Sequence, residues 1–100
     1  MATYQADLVR FLINRDYYIA DVQKSGSTLK VYTWFGGGGF SGAFFLDLVF
    51  DPRGTGDWAH ELKNLQAARP ESVPGYLTDE SCKHGMKAMP DHFYVVTTVC

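Results

Sequence analysis

The spacing of apolar residues predicts an amphipathic helix at the start of the chain. Over residues 4–15, four apolar side chains fall on one helical face: Tyr4, Leu8, Phe11 and Leu12. Thr3 precedes them as a candidate N-cap, because its hydroxyl can accept a hydrogen bond from the first turn. Val9 and Ile13 lie about 100–140° from Leu8 around the helix axis. The apolar surface is therefore wider than one packing interface needs.

Three strand-like runs are expected next, at residues 17–23, 28–35 and 43–50, because each is rich in β-branched and aromatic residues. A turn signal at residues 24–27 separates the first two runs. Four consecutive glycines, residues 36–39, separate the second from the third. Glycine weakens a strand, so we expect these residues to form a mobile hairpin tip. The short connections favour an antiparallel meander.

The second half of the chain predicts two helices and a final strand. Trp58, Leu62 and Leu65 have the spacing of a helix over residues 57–68. Thr78 and the acids after it resemble a helix start, which predicts a short helix over residues 79–88. The β-branched run 93–99 predicts a strand.

The expected order of elements is therefore α-β-β-β-α-α-β. We expect one α+β domain over residues 1–100. Its single-layer antiparallel sheet has about four strands, a meander plus a C-terminal strand, and packs against two or three helices.

Composition and charge narrow the function classes. The chain is 46% hydrophobic, which is enough for a core. The net charge of -2 lacks the basic excess typical of duplex nucleic-acid binding. No apolar run is long enough to span a bilayer, and no signal peptide is evident, so we expect a cytoplasmic protein without membrane contact.

Two cysteines and two histidines form the first group that could carry chemistry: Cys82, His84, His92 and Cys100. In the predicted helix, His84 points about 200° away from Cys82, and the spacing matches no familiar zinc site, so we expect no metal. Free thiols are favoured in a reducing cytosol, while a Cys82–Cys100 disulfide remains open. Nothing nearby resembles a nucleophile signature for a Cys–His enzyme.

The glycine run does not fit a phosphate-binding loop, since no Lys-Ser or Lys-Thr and no helix follows it. We therefore expect no catalytic residues, no metal and no cofactor.

Aromatic strands suggest an alternative function, a single-stranded nucleic-acid or RNA-binding domain. The residues that would form its stacking surface surround the glycine run and the first predicted strands: Tyr17, Tyr18, Lys30, Tyr32, Trp34, Phe35 and Phe40.

Surplus apolar surface favours a protein partner or self-association, and this is our main hypothesis. One part of the expected interface is the first helix and the residue beyond it, namely Val9, Ile13 and Tyr17. The other part is the glycine tip with the aromatic residues at its base: Trp34, Phe35, Gly36, Gly37, Gly38, Gly39 and Phe40. We expect a non-enzymatic interaction module, a small inhibitor or adaptor, for example a phage or mobile-element inhibitor of a host complex.

Overall fold

A computed structural model describes residues 2–39, 42–54 and 59–100 of the chain. Its helices and strands, in chain order, are α1 (Ala2–Ile13), α2 (Arg15–Lys24), β1 (Lys30–Gly39), β2 (Gly42–Phe50), α3 (Ala59–Ala68), β3 (Lys83–Ala88) and β4 (Phe93–Val99). Two 3-10 turns, Pro70–Ser72 and Gly75–Leu77, connect α3 to β3. No helix within these residues is long and apolar enough to cross a bilayer.

The four strands form one sheet in the order β1-β2-β4-β3, and every neighbouring pair is antiparallel. This confirms the predicted α+β class with a single antiparallel sheet. The register aligns Gly37, Phe44, Val99 and Lys83 in one row across all four strands.

Helices cover both faces of the sheet. On one face, α1 and α2 pack through Phe11, Tyr18 and Val22. On the other, α3 and the 3-10 segment pack through Leu62 and Leu77. Successive strand residues point to opposite faces, so Leu48 and Val49 of β2 enter different cores. Burial on both faces explains why residues 43–50 are almost entirely apolar.

The prediction of a strand at residues 17–23 is wrong, because this segment lies in α2. Tyr18 and Val22 are buried against the sheet, and their spacing of four is helical. Likewise α1 begins at Ala2, so Thr3 lies within the helix and is not its N-cap.

The predicted helix over residues 79–88 is also wrong. Residues 83–88 form the edge strand β3, which pairs with β4 from Lys83↔Val99 to Ala88↔Tyr94. The predicted three-strand meander is therefore replaced by two hairpins, β1–β2 and β3–β4, with β4 placed beside β2.

The glycine run is part of a strand. Gly36 to Gly39 pair with Phe45 to Gly42 across β1 and β2, so they are not the hairpin tip. The connection itself, Phe40 and Ser41, lies outside the described residues. The same holds for Asp57 and Trp58, where the second predicted helix was expected to begin.

Candidate functional site

Apolar side chains on α1 and α2 form the first candidate site, which we call the helix surface. Its four members are between 48% and 75% exposed: Val9, Leu12, Ile13 and Tyr17. Phe11 is fully buried against the sheet, and Val9 and Ile13 point away from that contact. Leu12 was expected on the packing face, but it is half-exposed because the core contact of this turn is made by Phe11.

The two helices that carry this surface are held in place at their junction. The Asn14 backbone N–H donates to the Phe11 carbonyl at 3.1 Å, and the Tyr18 N–H donates to the Asn14 carbonyl at 3.1 Å. Arg15 Nε donates to Asp91 in the β3–β4 turn at 2.5 Å. These bonds fix α2 relative to α1 and to the sheet.

A second candidate site lies on the sheet face against which α1 and α2 pack, where three apolar side chains near the end of the sheet are exposed. This sheet-end patch consists of Phe35, Phe44 and Val99, which are between 39% and 54% exposed. The rings of Phe35 and Phe44 have centroids 6.0 Å apart, and Phe44 is the direct strand partner of Val99. The three side chains therefore form one continuous apolar area across β1, β2 and β4.

A β-bulge in β1 separates two predicted site residues, Trp34 and Phe35, so that Trp34 packs in the core and Phe35 stays exposed. The register passes from Thr33↔Asp47 to Phe35↔Leu46, so Trp34 is an extra residue in β1. Trp34 packs against the core, and its Nε1 donates to the Tyr18 hydroxyl at 2.9 Å. Of the aromatic pair Trp34 and Phe35, only Phe35 offers an open apolar side chain.

One basic side chain lies in the same row as the patch, and a second lies over the neighbouring core residue Trp34. Lys83 continues the row Phe44–Val99 at the β3 edge. The Arg10 guanidinium lies 5.1 Å from the centroid of the Trp34 ring, and Trp34 precedes Phe35 in β1.

Phe44, Val99 and Leu12 were not predicted as site residues. Strand alternation places Phe44 on the same face as Leu46 and Leu48, but it cannot show where the helices stop covering that face.

Of the two states considered for Cys82 and Cys100, free thiols and a disulfide, the structure contains the disulfide. Cys82 and Cys100 are joined in a disulfide, so neither sulfur is a free thiol. The expectation of free thiols is therefore wrong, and no thiolate from this pair is available for a Cys–His mechanism. His84 Nε2 lies 2.8 Å from the Tyr76 carbonyl oxygen, and His92 packs beside Gly54. Within the described ranges, no three His, Cys, Asp or Glu side chains form a group that could hold a metal ion.

The predicted angle of about 200° between Cys82 and His84 assumed a helix. That assumption is wrong, because His84 lies in β3 and Cys82 directly precedes that strand.

Among the described members of the predicted stacking surface, Tyr17, Tyr18, Lys30 and Tyr32 do not share one face. Tyr18 of α2 packs against Tyr32 of β1 with ring centroids 4.9 Å apart, and the Tyr32 hydroxyl donates to Asp21 at 2.6 Å. Lys30 pairs with the same carboxylate at 2.5 Å. Tyr17 is on α2, outside the sheet, so these groups present no common face to a base.

A groove of about 510 Å³ lies between the start of β1 and α3. Its lining combines hydroxyl, amide and apolar groups with charges of both signs: Ser25, Thr28, Leu29, Glu61, Asn64, Leu65 and Arg69. Glu61 is paired with Arg53 at 3.3 Å.

No protein-family model, curated protein or solved structure matches this chain. The fold is that of an α+β single-sheet domain, and its described residues include exposed apolar side chains on α1 and α2 and at one end of the sheet.

Proposed function

We propose that this domain is a non-enzymatic protein-interaction module that binds its partner through the helix surface. The observation that carries the proposal is the exposure of Val9, Leu12, Ile13 and Tyr17 on two helices fixed to the sheet. Burial of apolar area contributes roughly 25 cal/mol per Å², so one such cluster can supply much of a binding free energy.

The type of side chain also supports a protein partner. Tyr17 combines a large apolar ring with a hydroxyl, as residues at the centre of protein interfaces often do. Its ring packs edge-on against buried Tyr18, with centroids 5.5 Å apart, so part of its mobility is already lost before binding. The inhibitor or adaptor role expected from the sequence stays a prediction.

The disulfide bears on location. The cytoplasmic location expected from the sequence stays a prediction as well, and the Cys82–Cys100 bond favours an oxidising compartment instead.

Site-specific photocrosslinking in the native host tests this proposal. A photoreactive phenylalanine analogue is placed at Ile13 and, as control, at Ala67, which is exposed on α3 at the opposite face of the sheet. We expect a discrete adduct from position 13 and none from position 67. Excess unlabelled wild type should suppress the adduct, Ala67→Asp should suppress it equally, and Ile13→Asp should not.

Self-association is part of the same proposal and is measured by light scattering of the purified protein. A dimer that Ile13→Asp dissociates and Ala67→Asp does not would identify the partner as a second copy. The proposal fails if Ile13→Asp competes as well as wild type, or if positions 13 and 67 give the same adducts.

A further inference from the structure

We propose that the groove between β1 and α3 binds an extended, uncharged peptide segment of a partner protein, which adds a strand to the sheet at the outer edge of β1. This inference rests on the proposed function as an interaction module, but it concerns a site separate from the helix surface. Two features meet at this site, namely backbone groups that point away from the sheet and a groove that lies beside them.

The outer edge of β1 carries backbone donors and acceptors. Backbone groups of successive residues in an antiparallel strand point alternately to its two sides. Ala43 and Cys100 exchange two backbone hydrogen bonds, at 3.3 and 2.9 Å, so every second residue of β2 from Ala43 to Val49 is turned towards β4. Val31 is the partner of Val49, so its N–H and C=O groups point away from β2. The same holds for Thr33, two residues further along β1.

These outward groups have no strand beside them in the described part of the chain. β1 is an end strand in the order β1-β2-β4-β3, and the backbone hydrogen bonds of the described turns and loops include none to Val31 or Thr33. Exposed edges are commonly protected by charged residues or proline. The edge strand β3 contains Lys83 and Lys87, whereas residues 31–39 of β1 contain neither a charge nor a proline. β1 is therefore the edge that is open to pairing with another strand.

The groove beside the start of β1 has space for the side chains of such a strand. Its volume is about 510 Å³, and an adjoining cavity of about 410 Å³ shares Leu29 and Leu65 with it. Both volumes lie within the range of ~300–1,000 Å³ that is typical of ligand pockets. Leu29, Val31 and Leu65 are partly buried against the core that α3 covers, so they give the site an apolar floor. Asn64 and Ser72 supply polar groups to the lining.

An extended chain satisfies both features. Its N–H and C=O groups alternate with the period of β1, so it can pair with Val31 and Thr33 while every second side chain enters the groove. A helical ligand lacks this match, because its backbone groups are already hydrogen-bonded to each other. Arg69 and Glu71 both line the cavity, and this mixture of signs favours a segment without charge. Nucleic acid would gain little there, because its affinity grows with the number of phosphates neutralised.

Peptides selected from a random library test the proposal. Octapeptides displayed on phage are selected against the purified protein, and binding of the most enriched sequence is measured by fluorescence anisotropy of the synthetic peptide. Two further versions are N-methylated on alternate residues, one on the odd and the other on the even positions. In a bound strand, one of these two sets of N–H groups faces β1. We therefore expect one version to bind at least about tenfold more weakly than the parent peptide and the other to bind about equally.

Protein variants and amide exchange locate the binding. Asn64 lines the groove, whereas Ala67 is exposed on the same helix and is not among the lining residues. Asn64→Trp should fill the groove and weaken the peptide at least about tenfold, and Ala67→Trp should leave binding unchanged, with circular dichroism confirming that both are folded. Bound peptide should slow hydrogen exchange of the Val31 and Thr33 amides at least about tenfold, but not that of Tyr32, whose N–H bonds to β2.

Several results would overturn the inference. Failure to enrich any sequence, an equal loss with both methylated versions, or binding unaffected by Asn64→Trp would each contradict strand addition in the groove. Unchanged exchange at Val31 and Thr33 would place the peptide elsewhere. Slower exchange of both amides as protein concentration rises, without peptide, would assign the edge to a second copy. The peptide assay uses no native partner, so its failure leaves the crosslinking result at Ile13 standing, and a failed crosslink leaves the peptide result standing.

Discussion

The Tyr76 hydroxyl donates a hydrogen bond to Oδ1 of Asp47 at 2.9 Å inside the core that α3 covers. Asp47 is fully buried, and its Oδ2 has no hydrogen-bond partner among the described residues. Burial raises the pKa of the Asp47 carboxyl above its usual range, although the hydroxyls of Tyr76 and Thr33 oppose part of that rise. Burial, together with the bond to Asp47, also raises the pKa of Tyr76 to about 12. The central strand therefore contains an acid whose ionised form is costly.

We expect Asp47→Asn to gain about 1 kcal/mol of unfolding free energy relative to wild type between acid and neutral pH, because the amide has no charge to bury, whereas the cost of its unpaired Nδ2–H groups is the same at every pH. The folded pKa of Asp47 is raised, so its favourable contribution is present in acid and is lost as pH rises through that pKa. The gain from the substitution should therefore vanish in acid. Urea unfolding of both proteins over a pH series measures it.

Asp91→Asn is the control with the opposite sign. The hydrogen bond from Arg15 lowers the pKa of the Asp91 carboxyl, so this variant should lose stability at neutral pH and match wild type in acid. A difference between Asp47→Asn and wild type that stays constant with pH would contradict the buried-charge explanation.

Substitutions at Phe11 and Ile13 test whether α1 has one face that packs against the sheet and another that is exposed. Phe11 is fully buried with its ring centroid 4.9 Å from that of Phe93, whereas Ile13 is 75% exposed. We expect Phe11→Ala to cost about 3–5 kcal/mol of unfolding free energy and Ile13→Ala less than about 0.5 kcal/mol. Chemical denaturation measures both, with Phe11→Leu as a milder variant if alanine prevents folding. Similar costs at the two positions would mean that Ile13 is covered in the free protein.

Sequence alone predicted the parts of the fold in which side-chain pattern and burial agree. The strand runs 43–50 and 93–99 became β2 and β4 because both are central and apolar. The strand prediction for residues 17–23 was wrong because the adjacent aromatic residues Tyr17 and Tyr18 suit a strand as well as a helix. The helical spacing of Tyr18 and Val22 was the signal that could have identified α2.

The edge strand β3 and the disulfide could not be predicted because both depend on tertiary contacts with β4. Residues 83–88 are mostly exposed and have no apolar alternation, so pairing with β4 decides their conformation. Once β3 lies beside β4, Cys82 reaches Cys100, with their Cα atoms 4.3 Å apart. The helical angles correctly predicted that Val9 and Ile13 lie outside the face of α1 that packs against the sheet. The exposure of Phe44 and Val99 could not be predicted, because it depends on how far the helices extend over the sheet.

Gly38 and Gly42 differ in what a side chain would meet. A Cβ at Gly38 would make only ordinary van der Waals contacts, at 3.7 Å or more. Gly42 has φ +124°, and a Cβ there would clash with the Cys100 carbonyl oxygen. We expect Gly38→Thr to stabilise the protein by up to about 1 kcal/mol, because threonine favours strands, and Gly42→Ala to destabilise it by more than that.

Thermal unfolding of the two glycine variants provides the measurement. Gly38→Ala is the control that separates strand preference from the loss of backbone freedom in the unfolded chain, because alanine changes mainly the latter. A loss of stability in Gly38→Thr, or an unchanged melting temperature in Gly42→Ala, would show that β1 and β2 are not paired as far as Gly39 and Gly42.

The Cys82–Cys100 disulfide closes a short segment that contains β3, with a sequence separation of 18 residues. A loop of this length restricts the unfolded chain enough to contribute about 3 kcal/mol. The end of the chain is also held by its backbone, since the Cys100 N–H donates to the Ala43 carbonyl at 2.9 Å. We therefore expect reduction to lower the free energy of unfolding by about 3 kcal/mol without unfolding the domain. Urea unfolding with and without dithiothreitol measures the loss, and the Cys82→Ala/Cys100→Ala double variant should show the lowered stability with no response to the reductant. Thiol titration of the oxidised protein in denaturant would contradict the pairing if both cysteines reacted.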